Sequence, residues 1–67
     1  MLAAAIIDRK REGQALTPAE IQFMVAGLTD GSIPDYQISA WAMAILFQGM
    51  SAEETASLTD AMLASGS

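Results

Sequence analysis

Residues 40–47, AWAMAILF, form a run of eight apolar residues in a chain of 67. A helix on the surface of a globular protein shows one apolar stripe and one wet face. A helix through this run is apolar nearly all round. At about 100° per residue, Ile38, Trp41 and Ile45 fall on one side with Ala42 beside them, and Met43, Phe47 and Met50 fall nearly opposite, with Leu46 between the two clusters. Ala40 and Ala44 make a narrow strip of small side chains where another backbone can come close. The run therefore has two apolar faces, and a domain this small has little core with which to cover both.

The run does not span a bilayer. Residues 38–47 make about 15 Å of helix at 1.5 Å per residue, and a membrane core needs about 20 apolar residues. The opening MLAAAIIDRKR places its charges after its apolar residues, the reverse of a secretory signal. The expected compartment is the cytoplasm.

Four helices account for the chain. The first is expected over residues 2–12, with Leu2, Ala3, Ile6 and Ile7 on its apolar side and Gly13 suited to its C-terminal cap. Arg9, Lys10 and Arg11, the only basic residues, share its last turn. The routine reading is that they complement the negative end of the helix dipole; the sharper one is an anion or carboxylate contact. The second helix, residues 18–29, opens on Thr17-Pro18-Ala19-Glu20, a capping hydroxyl, a proline at the first helical position and a glutamate three residues after the cap. Ile21, Met24, Val25 and Leu28 then share one face, Phe23 points elsewhere, and Thr29-Asp30-Gly31-Ser32 is turn chemistry. The third helix covers residues 35–48, with Gly49 at or just beyond its end. The fourth, residues 52–64, starts on a second capping box, Ser51 and Glu54. Its inward face reads as Thr55, Leu58, Thr59 and Met62, with Leu63 at the edge, and Ser65-Gly66-Ser67 ends it. No stretch alternates with period two, so no strand is expected. The expected fold is all-α, a small four-helix bundle, with residues 1–67 as one helical domain.

Composition removes most chemistries. Apolar residues make up 52% of the chain, too many for a disordered segment. Three basic residues against eight acidic ones leave a net charge of -5, which repels phosphate backbones and disfavours nucleic acid as a partner. There is no cysteine and no histidine, so thiolate sites and histidine acid–base chemistry are excluded. Asp30-Gly31-Ser32 is one glycine in a turn, not a calcium or phosphate loop. Glu53 and Glu54 are adjacent, lie about 100° apart on a helix and do not converge. Capping and dipole complementation account for them. The five methionines read first as core filler and second as an adaptable binding surface, and Trp41 reads as an anchor in a core or an interface. No catalytic, cofactor-binding or metal-ligating residue is identified. The candidate site is a surface: Met43, Leu46, Phe47 and Met50 on the second face of helix 3, meeting another helix. A closed homodimer is the commonest assembly for such a face.

The chain also resembles a known family, over nearly its whole length. The resemblance lies in Lys10-Arg11-Glu12-Gly13 followed by Leu16-Thr17, in Gly31-Ser32-Ile33-Pro34-Asp35-Tyr36-Gln37, and in Ala42-Met43-Ala44-Ile45. It continues in Gly49-Met50-Ser51, in Leu58-Thr59 with Ala61-Met62, and in Ser65-Gly66. In this order they resemble the amino-terminal helical domain of the pyrimidine-nucleoside phosphorylases, the thymidine phosphorylase group, a glycosyltransferase family 3 helical bundle. The resemblance implies a domain of a longer two-domain homodimeric enzyme that cleaves a pyrimidine nucleoside with phosphate as co-substrate, giving base and sugar 1-phosphate. It implies that the helical domain supplies dimer contact and one wall of the cleft facing an α/β catalytic domain. The family's phosphate-binding Lys-His-Ser-Thr-Gly-Gly stretch falls beyond residue 67. No catalytic residue carries over, and these 67 residues alone are expected to be inactive.

Anthranilate phosphoribosyltransferase has a related helical domain, sharing the pattern at Gln37, Met43-Ala44, Gly49 and Glu53-Glu54. Ile33-Pro34-Asp35-Tyr36, Leu58-Thr59 and Ser65-Gly66 fit the phosphorylases better. A stand-alone helical interaction module, using Met43, Leu46, Phe47 and Met50, is the remaining alternative.

Overall fold

The computed structural model describes residues 2–65. It consists of four helices: α1 (Ala3–Arg11), α2 (Pro18–Asp30), α3 (Asp35–Gln48) and α4 (Ala52–Ser65). Each boundary lies within a residue of the expected one. Gly66 and Ser67, expected to end the last helix, lie outside the described residues. Among the described residues there is no strand, and no helix is long and apolar enough to cross a membrane.

Local chemistry sets the helix ends. Gly13 takes φ +86 after α1. Its N–H donates to the Lys10 carbonyl and the Gln14 N–H to the Arg9 carbonyl, both at 3.0 Å, the paired closure of a Schellman motif. At the start of α2 the capping box is complete: the Glu20 N–H donates to Thr17 Oγ1 at 3.2 Å and the Thr17 N–H to Glu20 Oε1 at 2.9 Å. The α4 box is its twin, with Glu54 N donating to Ser51 Oγ at 3.1 Å and Ser51 N to Glu54 Oε1 at 3.0 Å.

The helices run up and down and pack as two pairs, α1 on α3 and α2 on α4. The core forms where the pairs meet. Ile6, Ile21 and Met24 are completely enclosed, and Ile7, Leu16, Val25, Ile33, Trp41 and Ala61 join them. Within the first pair α1 and α3 are parallel. Ala3 and Ala4 lie near Ile33 and Gln37 at one end, and Gln48 Nε2 donates to the Arg11 carbonyl at 2.9 Å at the other. α3 lies chiefly against α1, and among the described residues its backbone does not approach that of α4.

One glycine is fixed by close approach. A Cβ on Gly27, in the last turn of α2, would fall 2.2 Å from Ile33 Cδ1. The absent side chain lets the α2–α3 turn fold back, so that Ile33 enters the core and its N–H reaches the Gly27 carbonyl at 3.3 Å.

Several expected faces are corrected. On α4 the inward positions are Glu54, Ser57, Leu58 and Ala61, while Thr55, Thr59, Met62 and Leu63 are exposed. The buried stripe keeps helical spacing but is turned by about one residue, because a buried glutamate and an alanine sit where hydropathy reads surface. Of the residues expected inward, Leu2 is largely exposed and Leu28 nearly half exposed. Each lies at an end of its helix, beyond the reach of the neighbouring rods.

Candidate interaction face

Two of the three bases that charge patterning singled out, Arg9 and Lys10, are paired within the bundle, and Arg11 stays exposed. Arg9 Nη1 pairs with Glu20 Oε2. Arg9 also donates from Nε to Gln14 Oε1 at 3.2 Å and from Nη2 to the Ala15 carbonyl at 3.4 Å. Lys10 Nζ donates to both oxygens of Glu54, at 3.1 and 3.0 Å, with both side chains buried. The Leu16 N–H donates to Glu54 Oε2 at 3.0 Å. Burial works to raise the Glu54 pKa, but the N–H groups of Ser51 and Leu16 and the Lys10 ammonium outweigh it and hold the carboxyl at about 2. Two consecutive bases of α1 thus reach two capping-box glutamates, those of α2 and α4. The carboxylate contact is the arrangement adopted at Arg9 and Lys10, and dipole complementation alone does not describe it.

Glu54, singled out only as a cap, is therefore also the buried partner of Lys10. The signal for this pairing was present in the sequence: three bases confined to one helical turn and two glutamates each fixed three residues after a cap. Glu53 stays exposed and does not converge with Glu54. Among the described residues no group of three or more acidic side chains is placed to hold a metal ion.

The outer side of α3 is different in kind. Met43 is 50% exposed, Leu46 76% and Phe47 79%. Tyr36, Ala40 and Ala42 are exposed alongside them. No charged residue occurs anywhere from position 36 to position 52, so this face carries no charge that must stay hydrated. A shallow depression of about 390 Å³ between α1 and α3 adjoins it, lined by Arg11, Ala40, Met43, Ala44, Phe47 and Gln48. Contiguous apolar surface of this kind marks interaction sites.

The face differs from the expected one at Met50. Gly49 adopts φ +76 and ψ 178, which takes the chain out of helical phase, so Met50 does not continue the stripe. It is half-buried against the chain's own core. Trp41 is buried in that core as an anchor, and its indole Nε1 has no hydrogen-bond partner among the described residues. The methionines divide: Met24 is enclosed, Met50 half-buried, and Met43 and Met62 about half exposed.

Residues 4–66 match the family model described as the glycosyl transferase family, helical bundle domain. The chain is 62% identical over 61 residues to the pyrimidine-nucleoside phosphorylase of Geobacillus stearothermophilus. It is 64% identical over 61 residues to that of Bacillus subtilis and 56% identical over the same length to that of Staphylococcus haemolyticus. Each match covers 91% of this chain and 14% of the relative, so the chain spans about one-seventh of the length of these proteins. With four capped helices, one buried ion pair tying α1 to α4, and this match over nearly its full length, the chain belongs to the glycosyl transferase family as its helical bundle domain.

Proposed function

We propose that this chain is the amino-terminal helical domain of a pyrimidine-nucleoside phosphorylase, serving dimerisation through α3 and forming one wall of the substrate cleft. The parent reaction is attack of phosphate on a pyrimidine nucleoside, giving the free base and a sugar 1-phosphate, with the reacting groups contributed by an α/β domain. The helical domain acts in the cytoplasm, is non-catalytic by itself and needs no cofactor of its own.

The observation that carries the association role is the uncharged outer side of α3, where Met43, Leu46 and Phe47 are at least half exposed. Each large apolar side chain left wet forgoes about 1.5–3 kcal/mol of burial, and a second copy would recover it. Similarity to proteins named pyrimidine-nucleoside phosphorylase supports the choice of parent reaction.

Light scattering on the 67-residue chain tests association: a dimer is expected, and Phe47→Glu is expected to give a monomer that keeps its helical circular dichroism. An unchanged Phe47→Glu dimer would remove Phe47 from the contact. Assay of the same chain with thymidine or uridine and phosphate should show no turnover, and turnover would overturn the non-catalytic assignment.

A further inference from the structure

We infer that the Lys10–Glu54 contact selects the rotational seating of α4, holding the helix about 100° away from the seating that its apolar residues favour. α4 carries two stripes at helical spacing. Glu54, Ser57 and Ala61 face the bundle, whereas Thr55, Met62 and Leu63 face water, Met62 being 52% and Leu63 70% exposed. Leu58 lies between the stripes and is half-buried. Turning α4 by one residue position would bring Thr55 round to the direction of Glu54, and Met62 to that of Ala61. Glu53 and Asp60, already exposed, would then point still farther from the core. Apolar burial and charge placement both favour the turned seating, and the fold does not adopt it.

One side chain that reaches another element makes the difference. The capping box of Ser51 and Glu54 is local to the start of α4 and turns with it, so it does not distinguish the two seatings. The bonds to Glu54 from Lys10 Nζ, at 3.1 and 3.0 Å, and from the Leu16 N–H, at 3.0 Å, come from α1 and from the α1–α2 connection. A turn of α4 carries the carboxylate away from both and leaves the buried Lys10 ammonium uncompensated. Packing against α2 distinguishes the seatings only weakly. The depression between α2 and α4 is lined by Ala26, Ala61 and Ala64 among others, short side chains that raise no ridge to lock one helix into the other.

Cysteine accessibility tests this in the 67-residue chain, which has no cysteine of its own. Ala61→Cys reports on the inward stripe and Thr55→Cys on the outward one. With Lys10 and Glu54 in place, a maleimide is expected to react with Thr55→Cys about tenfold faster than with Ala61→Cys. Equal rates there would overturn the assignment at the outset. Lys10→Met combined with Glu54→Gln removes both charges together and keeps a side chain that completes the capping box. In that background Ala61→Cys is expected to react faster than Thr55→Cys. If Thr55→Cys stays the faster in a variant that keeps its helical circular dichroism, the ion pair does not select the seating. If the variant lacking both charges unfolds, the inference also falls, because a second seating of comparable stability would have kept it helical.

Discussion

Lys10 on α1 and Glu54 on α4 lie forty-four positions apart and are joined through both carboxylate oxygens, in a contact from which water is excluded. The two helices belong to different packing pairs, so this ion pair ties one pair to the other. The same carboxylate holds the α1–α2 connection through the Leu16 N–H and the start of α4 through Ser51. Breaking a buried pair by neutralising one partner costs about 3 kcal/mol or more, since the other charge is left uncompensated. For a domain whose total stability is on the order of 0.1 kcal/mol per residue, that is a large share. Glu54→Gln is therefore expected to lower the urea midpoint sharply at neutral pH.

The pH dependence has a definite sign. In the unfolded chain Glu54 takes up a proton near its ordinary value of 4.5, and in the fold it does so at about 2. Its contribution is complete above pH 4.5 and is lost progressively as the pH falls to about 2. Urea titrations across that window should show wild-type stability falling steeply. In Glu54→Gln the fall should be shallower, since only the other carboxylates remain to respond.

The neighbouring pair, Arg9 with Glu20, also joins an α1 base to a capping-box glutamate and is expected to count for much less. The Arg9 side chain is 42% exposed, and ion pairs with such access to solvent contribute about 0–1 kcal/mol. Arg9→Gln should cost under about 1 kcal/mol, and Lys10→Met about 3 kcal/mol, because both partners of the second pair are buried whereas the first is open to solvent on the Arg9 side. Added salt should shrink the first difference and leave the second nearly intact. Chemical denaturation of both variants at low and high salt measures this directly.

Helix starts were legible because Thr17–Glu20 and Ser51–Glu54 write a physical device in four residues, and the structure contains both boxes. The two-sided character of α3 was legible for the same reason, since helical spacing alone separates Trp41 from Phe47. Burial on α4 was not. Its inward positions are Glu54, Ser57, Leu58 and Ala61, of which hydropathy marks only Leu58, as expected, and ranks the others as surface until the partner of Glu54 is known. Met50 was misplaced because helical phase was carried through Gly49, whose backbone ends it. Gly27 gave no local sign, because its role depends on where Ile33 lands after a turn.

Gly27→Ala tests that last point. Alanine is the better helix former by about 1 kcal/mol, yet its methyl would sit 2.2 Å from Ile33 Cδ1. Overpacking of this kind costs about 1–3 kcal/mol, so the variant is expected to be less stable despite the gain in propensity. In an Ile33→Ala background the two closest atoms, Cδ1 and Cγ1, are gone and only Cβ remains, at 3.2 Å, so adding Gly27→Ala should then cost much less than it does in the wild type. Thermal melts of the two singles and the double give the coupling between the sites.

Phe47 and Ile21 separate folding from association. Ile21 is fully enclosed, whereas Phe47 is 79% exposed. Ile21→Ala should cost about 2–5 kcal/mol at any protein concentration, through the cavity it leaves. Phe47→Ala should change the stability of the dilute monomer by no more than about 0.5 kcal/mol. Under the proposed dimerisation a further difference appears at high concentration, because association with the folded chain would raise its apparent stability by mass action. The wild-type melting temperature should therefore climb with concentration and that of Phe47→Ala should not. Trp41, the single tryptophan and a buried one, reports unfolding by its fluorescence in both variants. If the Phe47→Ala melting temperature rises with concentration as steeply as that of the wild type, Phe47 is not part of the contact that stabilises the assembly.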